Sequence, residues 1–191
     1  MSCYIIGQGV DFEPAERPVS EVIRVDKFKS CCFTGHREAK LPWRGREDDP
    51  RCVALQESVY DAVEAVYRSG RRHFICGMAT GCDFYFCEAV IRLRESHPEV
   101  TLEAAIPFER QSESWSAEQK RRYNKLIAEC DYHTVVQKDY SPECYMRRNR
   151  YMVDSSSLLI AAYNGRQGGT MSTLLYAIRN GLEVIQLPIE E

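Results

Sequence analysis

The sequence predicts an α/β fold: a single doubly wound, Rossmann-like domain with a mostly parallel sheet and helices on both faces. Short, continuously apolar runs such as SCCFTG (30–35), HFICG (73–77) and LLIAAY (158–163) alternate with longer segments of helical apolar spacing. Strands apolar on both sides belong to parallel sheets buried between helix layers. Most of these runs stop at glycine or proline and pass into a polar loop that opens a helix, which is the repeated β–α order of such folds.

In chain order, residues 1–29 lack a clear period and carry Pro14 and Pro18. They read as an N-terminal extension, with VIRV (22–25) as a candidate short strand. The domain proper spans 30–191. SCCFTG is its first strand, and HREAKLPWRGREDDPR reads as a polar loop. Residues 53–69 place Val53, Leu55, Val59, Ala62, Val63 and Val66 at helical spacing, and Gly70 suits the stop. HFICG is a strand and 84–94 a helix. Residues 102–106 are a strand stopped by Pro107, and 115–130 an amphipathic helix. Residues 132–136 suggest a short strand, and Pro142 opens a helix through about Asp154. LLIAAY is a strand, 171–180 a helix closed by Gly181, and EVIQL (183–187) a final strand.

The chain has 191 residues, 44% apolar and 28% charged, enough for one domain with a real core. No apolar run approaches the roughly 20 residues that span a bilayer. No basic segment followed by a long apolar core opens the chain, so the expected location is cytoplasmic, without membrane partners. Nine cysteines sit mostly in apolar segments and read as small buried hydrophobes in a reducing compartment. Paired CxxC elements are lacking and the four histidines are scattered, so no metal site is expected. The net charge of −3 weighs against nucleic acid as the main partner.

Ligands in open α/β sheets bind beyond the carboxyl ends of the strands. The residues worth reading therefore follow each strand: Thr34, Gly35, His36 and Arg37; Gly77, Met78, Ala79, Gly81 and Asp83; Pro107, Phe108 and Glu109; and Asn164 with Gly168, Gly169 and Thr170. GMATGCD (77–83) turns from a strand into a helix. Its glycines would let backbone come close to a phosphate and its first helical amides would supply donors, although a tight turn alone asks for the same residues. Asp83 would cap that helix or face a ribose hydroxyl. GRQGGT (165–170) repeats the pattern on a second strand. The GxGxxG and GxxxxGK[ST] phosphate fingerprints are both absent.

CYMRRNRYMVD (144–154) sets Tyr145, Arg148, Asn149 and Met152 on one helix face. Arg148 with Asn149 is a candidate for bidentate recognition of phosphate or carboxylate, against the plainer reading of a surface arginine with a buried stem. Trp115 would plug the core or close over a base, and Lys120, Arg121 and Arg122 read as a solvated helix face.

FTGHR, GMATGCD, LEAAIPFERQSESW, MRRNRYMVD and LIAAYNGRQGGTMSTLLYA, in that order, resemble the YpsA-like bacterial family of the SLOG superfamily. That Rossmann-like superfamily also holds the DNA-processing protein DprA and the LOG phosphoribohydrolases. The resemblance covers about residues 30–187 and leaves the extension outside it. It implies a nucleotide or nucleotide-derived ligand at the chosen edge and, by analogy with superfamily members, a homodimer. Arg148 falls at the place of a LOG arginine, and Gly168, Gly169 and Thr170 fall near the glycine–threonine part of the PGGxGTxxE loop. The LOG glutamate position holds Thr173, which cannot stabilise an oxocarbenium-like centre as a carboxylate does; Asp83 or Glu109 would have to substitute.

Three readings follow: a nucleotide-binding domain acting as a sensor; a nucleotide-processing enzyme, LOG-like in cleaving an N-glycosidic bond; and a DprA-like nucleic-acid binder using Arg147, Arg148, Arg150 and Lys120 to Arg122. The first is the leading one. The only cofactor expected is the nucleotide-like small molecule itself.

Overall fold

The computed structural model describes residues 4–5 and 25–190. Six parallel strands form the sheet: β2 (Ser30–Gly35), β3 (His73–Cys76), β4 (Thr101–Ile106), β5 (Tyr132–Val135), β6 (Leu158–Tyr163) and β7 (Glu183–Pro188). A two-residue strand, β1 (Tyr4–Ile5), pairs antiparallel with β5. Five helices connect them: α1 (Pro50–Arg68), α2 (Cys82–Arg94), α3 (Ala117–Ala128), α4 (Cys144–Asp154) and α5 (Gly169–Arg179). The expected doubly wound α/β fold is therefore present.

The strand order β1-β5-β4-β3-β2-β6-β7 positions the site. The chain steps outward from β2 through β5, then returns to lay β6 on the other side of β2. The reversal leaves a crevice between the carboxyl ends of β2 and β6, the topological switch point where such sheets take ligands. Alternation along the strands gives each face its core. Cys31, Phe33, Phe74, Cys76, Leu102, Ala104 and Ile160 pack under α1, α2 and α3. Cys32, Ile75, Ala105, Leu159 and Ala161 pack under α4 and α5. Phe33 and Phe86 stack with ring centroids 4.7 Å apart.

Several expectations are corrected. The 36–51 loop is not merely polar, because Leu41 and Trp43 are fully buried in the larger core. Pro50 opens α1 behind Asp49, whose carboxylate accepts the Arg51 amide, so the helix begins three residues earlier than its apolar spacing implies. α2 starts at Cys82 rather than Phe84, and α4 at Cys144 rather than Pro142. Of the expected 22–25 strand, only Val25 is among the described residues, and it precedes a 3-10 turn at Lys27–Lys29. Among the described residues eight cysteines are buried and free. No helix among the described residues is long and apolar enough to cross a membrane.

One polar network lies inside the sheet layer. Glu103 on β4 accepts from Tyr151 Oη (2.6 Å) and Thr134 Oγ1 (2.7 Å), and hydrogen-bonds His73 Nε2 (2.9 Å). Burial raises the Glu103 pKa, but the three hydrogen bonds outweigh burial and leave it below the ordinary value. A carboxylate pKa depressed by folding contributes stability that is present above the unfolded pKa and lost as pH falls through the folded one. Glu103→Gln is therefore expected to cost about 1.5–3 kcal/mol at pH 7, with the deficit shrinking as acid protonates the parent. Urea midpoints of both proteins at neutral and acidic pH check this, and a pH-independent deficit would contradict it.

Candidate functional site

At the switch point lies a cavity of about 260 Å³. Its lining draws Thr34, Gly35, His36 and Arg37 from β2 and its loop, and Ala79 and Asp83 from the turn into α2. Arg148 and Asn149 come from α4, and Gly168, Gly169 and Thr170 from the start of α5. Eleven of the residues expected from sequence thus meet in one place. Lys40 and Tyr145 join them.

Arg148 is the centre of the arrangement, only 5% exposed. Its Nε donates to Asn149 Oδ1 (2.8 Å), and its Nη1 donates to the Gly77 carbonyl and, at 3.4 Å, to that of Ala105. The strut continues through Asn149 Nδ2 to Thr173 Oγ1 (2.8 Å), and through Thr173 Oγ1 to the Gly169 carbonyl (2.8 Å). One chain of hydrogen bonds thereby links the ends of β3 and β4 to the first turn of α5. It fixes the guanidinium and leaves Nη2 without a partner among the described residues. The sequence made Arg148 a candidate for bidentate recognition of phosphate or carboxylate; here Asn149 holds Nε and two carbonyls hold Nη1, so Nη2 is the nitrogen left for a ligand.

Asp83 lies close to Arg148 without forming an ion pair and is 6% exposed. Its Oδ2 accepts the Ala79 amide at 3.0 Å. Burial raises its pKa, against the charge of Arg148, the Ala79 hydrogen bond and the charge of Arg37. Burial likewise lowers the pKa of Arg148, against the charge of Asp83. Each charge costs more to bury than the other repays, as is common where a site is built to meet a ligand.

The two glycine-bearing helix starts differ. At α2, the amides of Met78, Ala79 and Cys82 are bonded to Cys76 Sγ, Asp83 Oδ2 and the His36 carbonyl, and Asp83 sits in the first helical turn. Three amides of that turn are therefore already committed to protein acceptors. Its glycines make room for protein. A Cβ on Gly77 would fall on the Arg148 guanidinium, and one on Gly81 would meet the backbone of residues 36–38. Met78 is fully buried, and its carbonyl accepts from Gln111 Nε2 at 3.2 Å. At α5 no side chain caps the first turn and no acid lies in it. Its free amides and positive dipole end open on the cavity, the arrangement that suits an anion. Lys40 Nζ lies 3.0 Å from where a Gly168 Cβ would stand.

His36 is a clamp. Its Nε2 lies 2.6 Å from Asn164 Oδ1, which also accepts the Arg166 amide, so Nε2 donates. Thr170 Oγ1 donates to the Gly35 carbonyl at 3.1 Å. These bonds tie the end of β2 and its loop to Asn164 after β6 and to the start of α5. Asn164 itself lines an adjoining cavity with His36, Lys40, Arg44 and Arg166. Pro107 and Phe108 lie outside the main lining, with Phe108 packed edge-on to Tyr145. Glu109 is exposed and outside it too, which leaves Asp83 as the lone lining carboxylate among the described residues. Thr173 is a strut rather than a vacant catalytic position. Trp115 packs on Phe84 and Tyr123 in the core. Arg122 is held by Glu47 and Glu88.

Lys40 is the residue the sequence reading missed. It lies five residues past the end of β2, and a 3-10 turn at Glu38–Lys40 brings it back to the cavity. A basic residue in a loop carries no signal of that return.

Residues 31–190 match the family model YpsA, described as the YspA SLOG family. The chain belongs to this family. A SPbeta prophage-derived protein of Bacillus subtilis (strain 168), YoqJ, named as uncharacterized, is 30% identical over 142 residues, covering 68% of this chain and 83% of its own. The UPF0398 protein YpsA of the same strain is 22% identical over 150 residues, covering 78% and 83%. Two solved structures share the fold. DprA from Streptococcus pneumoniae superposes with a TM-score of 0.60 at 16% identity, over 85% of this chain and 51% of that one. DprA from Helicobacter pylori, described in its single-stranded DNA binding mode, gives 0.62 at 13% identity, over 98% and 72%. The YpsA-family chain described here thus spans about half of the streptococcal protein.

Proposed function

We propose that this YpsA-family chain binds the phosphate-bearing end of a nucleotide or nucleotide-derived molecule at the switch point, as a sensor domain. The uncapped start of α5 carries the proposal. It opens on a cavity that also holds a fixed, buried Arg148 and two exposed cations, Arg37 and Lys40. Backbone amides, a helix dipole and three positive side chains converge there against one carboxylate. Asn149 and Thr173 hold Arg148 and α5 in register, so the site is organised before a ligand arrives.

A second reading is favoured by the adjoining cavity, whose rim adds Arg44 and Arg166 to Lys40. A basic path leading on from the phosphate site suits a single nucleic-acid strand, the ligand named for H. pylori DprA.

The test is a thermal-shift screen against nucleoside mono-, di- and triphosphates, NAD, ADP-ribose, cyclic nucleotides and a short oligonucleotide. A ligand at a hundred times its dissociation constant stabilises by about 2.7 kcal/mol, a visible shift. Arg37→Ala and Lys40→Ala change exposed side chains, so each is expected to retain the parent midpoint and to weaken binding by about tenfold. Small-molecule hits support the sensor. A hit by the oligonucleotide alone, steeply weakened by salt, favours the second reading. No shift by any phosphate compound, or shifts untouched by both variants, would sink the phosphate site.

A further inference from the structure

Tyr145 lines the cavity and is the first of a row of flat groups that leaves it. The Arg37 guanidinium carbon stands 4.5 Å from the Tyr145 ring centroid. Phe108 packs edge-to-face with Tyr145, with centroids 6.0 Å apart and planes at 77°. Tyr140 follows at 5.5 Å and 76° from Phe108. These four groups come from the β2 loop, α4, the segment after β4 and the segment after β5. The row begins at the cavity mouth and ends in solvent, where Tyr140 is 63% exposed. A ring that exposed contributes little to the core.

The cavity taken by itself, at about 260 Å³, is smaller than the roughly 300–1,000 Å³ of sites that enclose a complete small molecule. A nucleotide anchored by its phosphate extends beyond this lining. Polar groups hold the inner end, and the aromatic row runs from the mouth. Aromatic faces and arginine planes both stack on nucleobases, tolerantly of base identity.

We infer that Tyr145, Phe108 and Tyr140, with Arg37, form a nucleobase subsite outside the cavity. The subsite rests on the phosphate-end reading above and specifies it: the ligand carries a base beyond its sugar phosphate. Recognition by stacking gives affinity with little discrimination among bases.

The test compares ribose 5-phosphate with AMP, GMP, CMP and UMP by calorimetric titration of the full chain, then of Tyr140→Ala and Phe108→Leu. All four nucleotides are expected to bind about tenfold more tightly than ribose 5-phosphate. That advantage is expected to shrink to about threefold or less in both variants, while ribose 5-phosphate affinity stays at the parent value. Tyr140→Ala is exposed enough to keep the parent unfolding midpoint, which separates a lost contact from a lost fold. Equal affinity for sugar phosphate and every nucleotide would overturn the subsite and leave the phosphate site standing. So would an advantage that survives both substitutions. Binding of none of these probes would overturn the subsite, and the phosphate-end reading falls with it only if the wider thermal-shift screen is blank too.

Discussion

Gly81→Ala is expected to destabilise the protein by about 3–5 kcal/mol. Gly81 has φ 93° and ψ −128°, a conformation in which an L side chain is strained whatever its surroundings. Its surroundings are also closed. An added Cβ would lie 2.8 Å from the His36 carbonyl oxygen and 2.9 Å from the Arg37 carbonyl carbon, and both are backbone atoms that cannot rotate away. Relief requires moving the 36–38 segment, which carries the His36 clamp and Arg37. Ligand binding should therefore fall along with stability. Gly165→Ala is the control, because Gly165 has φ 86° with nothing within 4 Å of its added Cβ. It meets only the backbone penalty, about 1 kcal/mol. Urea unfolding of the two variants measures the difference. If Gly81→Ala costs no more than Gly165→Ala, the close packing of the two loops is not what the glycine serves.

The glycines show how far a sequence can be read. GMATG was legible as a strand-to-helix turn at the ligand edge, because apolar run, glycine and helical spacing are local signals. Which partner filled the space above each glycine was not legible, since the Arg148 guanidinium and the His36–Glu38 backbone arrive from distant parts of the chain. Arg148 itself stood out with Asn149 as a polar pair beside apolar residues on one helix face. Its commitment to the Gly77 and Ala105 carbonyls depends on how α4 sits over β3 and β4. β1 escaped because two residues cannot display a period. Lys40 escaped because a short 3-10 turn, not a pattern, aims it. The strand order that makes β2 and β6 neighbours is the fact that gathers the site, and no stretch of sequence states it.

Arg148→Met is expected to cost about 3–5 kcal/mol at pH 7, with a pH dependence that identifies the cause. Two losses combine. The Gly77 and Ala105 carbonyls lose a donor, which does not depend on pH over the acidic range. Asp83 loses the nearest charge that lowers its pKa, so a carboxyl already raised by burial rises further. A carboxyl whose folded pKa exceeds its unfolded value costs nothing below the unfolded pKa, where both states are protonated. The cost grows as pH rises toward the folded pKa and is constant above it. The deficit of Arg148→Met relative to the parent should therefore be largest at neutral pH and shrink to the donor loss near pH ~4. Adding Asp83→Asn removes the uncompensated charge and keeps an oxygen to accept the Ala79 amide. The double substitution should recover stability at pH 7 and little near pH ~4. Equal deficits at both pH values, or no recovery from Asp83→Asn, would mean that Arg148 works through its hydrogen bonds alone. If the recovery is seen, the two buried charges are coupled across the cavity, and a ligand anion beside Arg148 must raise the Asp83 pKa further. Phosphate-ligand binding would then be accompanied by proton uptake, with affinity falling as pH rises through the Asp83 titration.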